Sequence, residues 1–155
     1  MAGLQGRSLG SLVERHGFGD TQLIADSIRR LRFEAGAGFM HGFIDLVFES
    51  EGRYYLADYK SNFLAATPEG YRPAQLNEVM AREQYSLQYL IYTVAVHRFL
   101  RMRLPDYDYE RHFGGVYYLF LRGMDPALGH RCGVFYDRPG RALVEALDCH
   151  LQGRG

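Results

Sequence analysis

The chain has 155 residues, 47% apolar and 23% charged, which is the composition of one globular domain rather than of a disordered protein. Its 18 basic and 18 acidic residues give zero net charge, which argues against a protein that coats nucleic acid by bulk charge. There is no long apolar run and no signal-peptide core, so we expect a cytoplasmic protein without a membrane partner. Two cysteines, Cys132 and Cys149, are too few for a disulfide framework.

The first half of the chain predicts one helix followed by two strands. Residues 1–20 hold five glycines and little periodicity, so we expect a loosely ordered segment before a domain over residues 21–151. Apolar residues at helical spacing predict a helix over residues 21–33. Runs of β-branched and aromatic residues then predict strands over residues 39–48 and 53–60, joined by the four-residue turn "ESEG".

The second half predicts a long helix, two strands and a final helix. The helix runs from Pro73 to Arg103 with a bend or break near residues 82–86, because the span is long for one helix. The apolar run "GGVYYLFLR" predicts a central strand, "GVFYD" a short edge strand, and the remainder a helix to about Leu151. This order of elements predicts an α/β fold, a mixed sheet flanked by helices.

Two acids and a lysine interrupt the predicted strand pair. Asp45 follows "GFI", and Asp58 and Lys60 end the aromatic run "RYYLADYK". A buried carboxylate is costly unless it is paired or binds a cation, so these residues require an explanation.

Strand geometry predicts where the three side chains meet. If Phe48 faces Arg53 across the turn, alternation puts Asp45, Asp58 and Lys60 on one face of the sheet. The two aspartates are then diagonal neighbours about 7–8 Å apart, close enough for one divalent cation to bridge them. Such a set suits phosphodiester hydrolysis, with the lysine orienting water or offsetting charge. The alternative is an ordinary salt bridge between Lys60 and either carboxylate at a strand end.

Several segments in order resemble a known family. "GFIDLVF", "EGRYYLADYKSN", "YSLQYLIYTVAVHRFLR" and "DYDYERHFGGVYYLFLRG" closely resemble the RecB-type nuclease domain, which belongs to the PD-(D/E)xK nuclease superfamily. The resemblance covers roughly residues 31–151 and implies a restriction-endonuclease-like fold.

The resemblance also implies roles for individual residues. Asp45 and Asp58 match the two metal-binding aspartates of the family, and Lys60 matches its catalytic lysine. The backbone carbonyl of Tyr59 is implied as a further ligand of Mg²⁺.

Gln88 and Tyr92 match the Q-x-x-x-Y motif of the RecB-type branch. Their i,i+4 spacing puts them on one helix face, where they can support the site or touch DNA. The alternative is an ordinary hydrogen-bonded amide and a core tyrosine.

One element of the family pattern has no match in this sequence. The family carries a histidine metal ligand on a helix far upstream of the first aspartate, but only 44 residues precede Asp45. His16 lies too close to Asp45 to match it, whereas His41 has the parity of Asp45 and is a candidate substitute. The resemblance therefore implies an N-terminally truncated domain that lacks the first core helix and strand.

The function implied is that of an exodeoxyribonuclease V type nuclease. Such a module hydrolyses unwound single-stranded DNA with Mg²⁺ in a recombination and repair complex with RecC and RecD, and it offers a surface for loading RecA. With the histidine unmatched, we expect slow turnover by the chain alone. The alternative is a catalytically impaired module that acts only in protein interaction.

Overall fold

The structure is a computed structural model that describes residues 6–17, 21–29 and 42–152. The helices are α1 (Gly6–His16), α2 (Thr21–Arg29), α3 (Pro73–Arg82), α4 (Tyr85–Arg103), α5 (Tyr109–His112) and α6 (Arg141–Leu151). The strands are β1 (Leu46–Ser50), β2 (Arg53–Lys60), β3 (Phe113–Phe120) and β4 (Val134–Asp137). Short 3-10 turns cover Pro68–Tyr71, Leu121–Gly123 and Gly129–Arg131.

The four strands form one mixed sheet in the order β1-β2-β3-β4. β1 and β2 are antiparallel, β2 and β3 are parallel, and β3 and β4 are antiparallel. The α/β architecture with a mixed sheet flanked by helices is as predicted, and it is consistent with a restriction-endonuclease-like fold. Within the described ranges, no helix has the length and apolar character needed to cross a membrane.

The core lies between the sheet and the helices. Alternation along β2 and β3 directs Leu56, Val116, Tyr118 and Phe120 to the helical side, where all four are fully buried. Buried side chains of α3, α4 and α6 complete this cluster, and α1 and α2 pack on each other and add to it. The central strands therefore bury one face of the sheet against helices, and this burial fixes which residues of β2 point toward α4.

The other face of the sheet carries a row of aromatic rings. Phe48 stacks on Tyr55 with ring centroids 5.2 Å apart, and Tyr117 lies 5.0 Å from Tyr136. This face is partly open to solvent, because Tyr136 is 49% exposed and Tyr59 is 46% exposed.

Two predicted boundaries are confirmed and one segment is corrected. β2 spans residues 53–60 as predicted. The long helix breaks as predicted near residues 82–86, at Gln84, whose φ of 62° is left-handed and cannot continue a helix. The expectation of a loosely ordered N-terminal segment is wrong over residues 6–16, which form α1. Leu9 and Val13 lie on one side of α1 at i,i+4 spacing and are buried, which stabilises the helix despite its glycines.

The hairpin that joins β1 and β2 differs from the prediction. The turn has two residues rather than four, Glu51 and Gly52, with φ of 53° and 75°. Two-residue turns with positive φ match the twist of the flanking strands, so this geometry is favoured in hairpins. Phe48 therefore pairs with Tyr55 rather than with Arg53. The shift is two residues, so every side chain keeps its face.

The first strand also begins later than predicted. The prediction gave residues 39–48, whereas β1 covers residues 46–50; residues 39–41 lie outside the described part of the chain. A physical reason is visible at the start of the strand. There the Tyr59 N–H donates to the side chain of Asp45 at 2.9 Å instead of continuing the backbone ladder.

Candidate functional site

The carboxyl end of β2 places an acid and a base side by side. Asp58 and Lys60 are two residues apart in a strand, so their side chains leave the same face of the sheet. That face is the one covered by α4, and the two side chains are only 5% and 12% exposed. The Nζ atom of Lys60 lies 2.5 Å from Oδ1 of Asp58. The two charges therefore neutralise each other in a site largely removed from water.

Asp45 joins this pair from the start of β1. The register of the hairpin, continued one residue past the Leu46–Ala57 pair, puts Asp45 directly opposite Asp58. Its Oδ2 atom accepts the Tyr59 N–H at 2.9 Å, which fixes the carboxylate beside β2. Asp45 is exposed, unlike Asp58, so the site has a buried acid and a solvent-facing acid.

The electrostatics of Asp58 are those of a buried carboxyl group with charged neighbours. Burial is the largest influence and raises its pKa, and the negative charge of Asp45 raises it further. The hydrogen bond and positive charge of Lys60 act in the opposite direction, yet the pKa stays above its ordinary value. Within the described residues, Oδ1 of Asp58 receives no hydrogen bond of ordinary geometry besides this ion pair. A cation bound at this oxygen would therefore share it with the ammonium of Lys60.

The predicted motif residues of α4 lie against this pair. Oε1 of Gln88 lies 3.1 Å from Nζ of Lys60, and Nε2 of Gln88 donates to the hydroxyl of Tyr92 at 3.1 Å. The ring of Tyr92 also packs against Gly42, where an added Cβ would lie 2.7 Å from the ring. Gly42 thus lets the chain pass close to α4 just before Asp45. Gln88 and Tyr92 therefore connect Lys60 to the segment that carries Asp45.

Sequence reasoning missed two tyrosines around the lysine. Nζ of Lys60 lies 4.0 Å from the ring centroid of Tyr85 and 5.0 Å from that of Tyr118. The hydroxyl of Tyr118 donates to Oε1 of Gln88 at 2.8 Å. Tyr85 precedes Gln88 by three residues on one helix face, a spacing that could have indicated it. Tyr118 comes from β3 and carried no comparable local signal.

The loop after β2 is tied to the same group. Tyr85 donates its hydroxyl to Oδ1 of Asn62 at 3.1 Å, and Tyr71 donates to the Asn62 carbonyl at 3.3 Å. The N–H of Leu64 donates to the Tyr71 hydroxyl at 3.0 Å, and Tyr71 is fully buried. These bonds hold the chain directly beyond Lys60.

The structure thus brings most of the sequence-predicted site residues together. Asp45, Asp58, Lys60 and, through Lys60, Gln88 and Tyr92 form one connected group, for which we use the name acid–lysine site.

The remaining candidates lie apart from this group or outside the described residues. Tyr59 contributes its backbone to the acid–lysine site, while its ring is 46% exposed. His16 ends α1, a helix that packs on α2 and α6, and His41 lies outside the described residues.

The ligand set of the acid–lysine site fits a weakly held divalent cation. Oxygen ligands suit Mg²⁺, and the Tyr59 N–H, directly after Asp58, holds the carboxylate of Asp45 at 2.9 Å. However, no group of three or more His, Cys, Asp or Glu side chains suited to a metal occurs in the described ranges. Two carboxylates would leave most coordination positions of a bound cation to water, so we expect any such binding to be weak.

Comparison with known proteins shows similarity to one group. No family model matches the chain. The chain is 52% identical over 118 residues to the RecBCD enzyme subunit RecB of Haemophilus influenzae and 49% identical over 118 residues to that of Escherichia coli. These matches cover 76% of the chain but 10% of each relative. The RecBCD enzyme subunit RecB of Mycobacterium tuberculosis is 47% identical over an aligned length of 116 residues, and this match covers 71% of the chain and 11% of the relative. About three quarters of the chain is therefore similar to RecB subunits, and the match spans about one tenth of the length of each subunit.

Proposed function

We propose that this chain is a Mg²⁺-dependent DNA nuclease module of the RecBCD recombination and repair complex. One observation carries the proposal: Asp45, Asp58 and Lys60 converge on one sheet face, with Gln88 of α4 bonded to the lysine. The similarity to subunits named RecB supports it, because a match of 118 residues in a chain of 155 must span residues 38–118, where this group lies. The substrate proposed is the phosphodiester backbone of unwound, single-stranded DNA.

The roles follow from the positions of the side chains. Asp45 and Asp58, with the carbonyl of Tyr59, are the proposed ligands of the cation. When bound, a divalent cation supplies polarisation of the phosphate and a more acidic water molecule. Lys60 presents an ammonium group next to Asp58, so it can donate to a phosphate oxygen and offset negative charge as that charge grows. Gln88 keeps the ammonium in place through its 3.1 Å contact.

The partners proposed follow from the names of the relatives and from the resemblance of the sequence. A module of a RecBCD enzyme is expected to contact RecC and RecD and to receive DNA that has been unwound. A surface for RecA is a further proposal from the resemblance.

The experiment is cleavage of an end-labelled single-stranded oligonucleotide by the full chain, with Mg²⁺ or with EDTA. We expect slow cleavage that requires Mg²⁺ and disappears in Asp58→Asn. Asp137→Asn is the matched control, because Asp137 is also a carboxylate of the sheet with a pKa raised by burial, hydrogen-bonded by Tyr89. Cleavage that persists in EDTA, or that falls equally in both variants, would contradict the proposal.

A second candidate is a module that acts only through protein interaction. It is favoured by the partly open apolar sheet face, on which Leu46 is 39% exposed and Tyr136 49% exposed. The same assay separates the candidates. Absence of any Mg²⁺-dependent cleavage at high protein concentration, with a folded chain, would favour interaction over catalysis.

A further inference from the structure

The ammonium group of Lys60 lies between aromatic rings as well as beside an acid. Its Nζ atom is 4.0 Å from the ring centroid of Tyr85 and 5.0 Å from that of Tyr118. The faces of aromatic rings attract cations, and the attraction is larger where water is excluded. Lys60 is 12% exposed, so the contact is partly desolvated. The ammonium group therefore has two aromatic contacts that do not depend on Asp58.

The side-chain amide of Gln88 supplies a polar contact to the same ammonium group, and both ends of the amide are hydrogen-bonded. Oε1 accepts the Tyr118 hydroxyl at 2.8 Å and lies 3.1 Å from Nζ of Lys60, while Nε2 donates to the Tyr92 hydroxyl at 3.1 Å. A carbonyl oxygen has two lone pairs and can take both donors. A flipped amide would instead point its NH₂ group at the ammonium and at the Tyr118 hydroxyl. The ammonium of Lys60, which can only donate, excludes the flipped amide, and in the observed orientation the Tyr118 hydroxyl supplies the second donor to Oε1.

The hydroxyl of Tyr118 is suited to act as a permanent donor. Tyr118 is fully buried in the core, and burial first, then the negative charge of Asp58, raises the pKa of its hydroxyl far above the ordinary value. The group therefore keeps its proton at neutral pH.

We propose that Tyr118 is a positioning residue: its hydroxyl, acting through Gln88, and its ring, together with that of Tyr85, hold the ammonium of Lys60 at the carboxyl end of β2. We call Tyr85, Gln88 and Tyr118 the lysine pocket. Its value for catalysis rests on the proposed function, but its effect on the position of Lys60 does not. When Asp58 is engaged by a cation, the lysine pocket still retains the ammonium near the reacting phosphate.

The rival explanation is that Tyr118 only fills the core. Its ring touches those of Tyr85, Tyr89 and Phe135, so loss of packing alone would lower stability. The substitution Tyr118→Phe keeps the ring and removes only the hydroxyl. Tyr109→Phe is the matched control, because Tyr109 is also a buried tyrosine, 2% exposed, whose hydroxyl donates to the Pro139 carbonyl at 2.6 Å outside the lysine pocket.

The first measurement is independent of cleavage. Lys60 is the only lysine in the sequence, so protein labelled with ¹³Cε-lysine gives one lysine signal in a carbon–proton correlation spectrum. Ring faces at 4.0 and 5.0 Å should shift this signal upfield of free lysine. We expect Tyr118→Phe to move or broaden the signal and Tyr109→Phe to leave it unchanged. Tyr85→Leu, which removes the nearer ring, should return it toward the position of free lysine.

The second measurement is a double-mutant cycle in the Mg²⁺-dependent cleavage assay. We expect Tyr118→Phe to lower kcat about tenfold with KM nearly unchanged, because misplacing a reacting group costs rate. In a Gln88→Leu background, the same substitution should have little further effect, since Tyr118 acts through Gln88.

The outcomes separate this inference from the proposed function. If the chain does not cleave DNA but the lysine signal responds to Tyr118→Phe, the nuclease proposal fails and the lysine pocket stands. A lysine signal identical in wild type, Tyr118→Phe and Tyr85→Leu overturns the inference, as do additive effects in the cycle. If Tyr118→Phe does not fold, the spectra of Gln88→Leu and Tyr85→Leu replace it. A shifted lysine signal in these variants supports the lysine pocket, and an unchanged signal overturns it.

Discussion

Oδ1 of Asp58 lies 2.5 Å from Nζ of Lys60, and the two side chains are only 5% and 12% exposed. Each charge alone would be costly in this position, and the pair makes both tolerable. The same pairing keeps an acid and an ammonium group in fixed positions two residues apart. The stability of this part of the fold and the proposed chemistry therefore depend on the same contact.

Removing the lysine should destabilise the protein in a pH-dependent way. Burial already raises the pKa of Asp58, and Lys60→Met removes the charge and hydrogen bond that oppose this rise. When folding raises the pKa of an acid, the contribution of that acid to stability is fully present below its unfolded pKa of about 3.9. This contribution is lost as the pH rises through the pKa of the acid in the folded state. We expect the free energy of unfolding to fall by about 3 kcal/mol near pH 7 and far less near pH 4.

Urea unfolding at several pH values checks this expectation. Adding Asp58→Asn to Lys60→Met should recover much of the loss, because no buried charge is then left unpaired. A loss that does not vary with pH would show that packing of the lysine stem, rather than its charge, is responsible.

The close approach of Gly42 to Tyr92 gives a second prediction. A Cβ at this position would lie 2.7 Å from Cε1 of Tyr92, so Gly42→Ala must displace the ring or the chain entering β1. We expect a loss of about 1–3 kcal/mol in stability and a lower cleavage rate. In Gly140→Ala nothing lies within 4 Å of the new Cβ and φ is −65°, so the loss should stay below about 1 kcal/mol, the cost of replacing glycine by alanine as the N-cap of α6. Equal effects of the two substitutions would contradict the account.

Much of the acid–lysine site can be predicted from the alternation of side chains along a strand, whereas the residues that surround the lysine cannot. Alternation predicts a shared face for Asp58 and Lys60, and this result is insensitive to the error in the hairpin turn, because a shift of two residues preserves parity. The turn itself was mispredicted because a glutamate at positive φ is uncommon. The contact of Tyr118 with Gln88 joins β3 to α4 across 30 residues, and no local pattern encodes such a pairing.

The hairpin turn offers a stabilising substitution. Glu51 has φ of 53°, a left-handed conformation that asparagine adopts more readily than glutamate. Glu51→Asn creates the Asn-Gly pair favoured in two-residue hairpins. We expect a rise of about 0.5 kcal/mol in unfolding free energy, measured by thermal denaturation, with no change in the cleavage rate. Glu51→Val, β-branched at the same position, should have the opposite effect, and a stabilising valine would contradict the turn assignment.

An ion pair between α4 and α6 predicts behaviour in acid. Burial raises the pKa of Asp148, but hydrogen bonds from Arg98 and Gln152 and the charges of Arg98 and Arg101 outweigh it, so the pKa lies below the ordinary value. A lowered pKa stabilises the fold above the unfolded value of about 3.9, and this contribution is lost as pH falls through the folded value.

Asp148→Asn should therefore cost about 1–2 kcal/mol near pH 7, an amount limited by the exposure of both arginines. The difference from wild type should shrink below pH 4. Denaturant midpoints at pH 7 and pH 3.5 provide the comparison, and a difference that grows in acid would show that the pKa is raised.

The most direct test of cation binding at Asp45 and Asp58 is a Mn²⁺ titration followed on the ¹³Cε-lysine signal. Lys60 is the only lysine, and its Nζ atom lies 2.5 Å from Asp58, so a paramagnetic ion held by the two acids must broaden that signal. We predict broadening at submillimolar to millimolar Mn²⁺, reversed by excess Mg²⁺ and absent in Asp45→Asn and Asp58→Asn. A wild-type signal that stays sharp at saturating Mn²⁺ would contradict the account, as would a signal that broadens in both variants as much as in wild type.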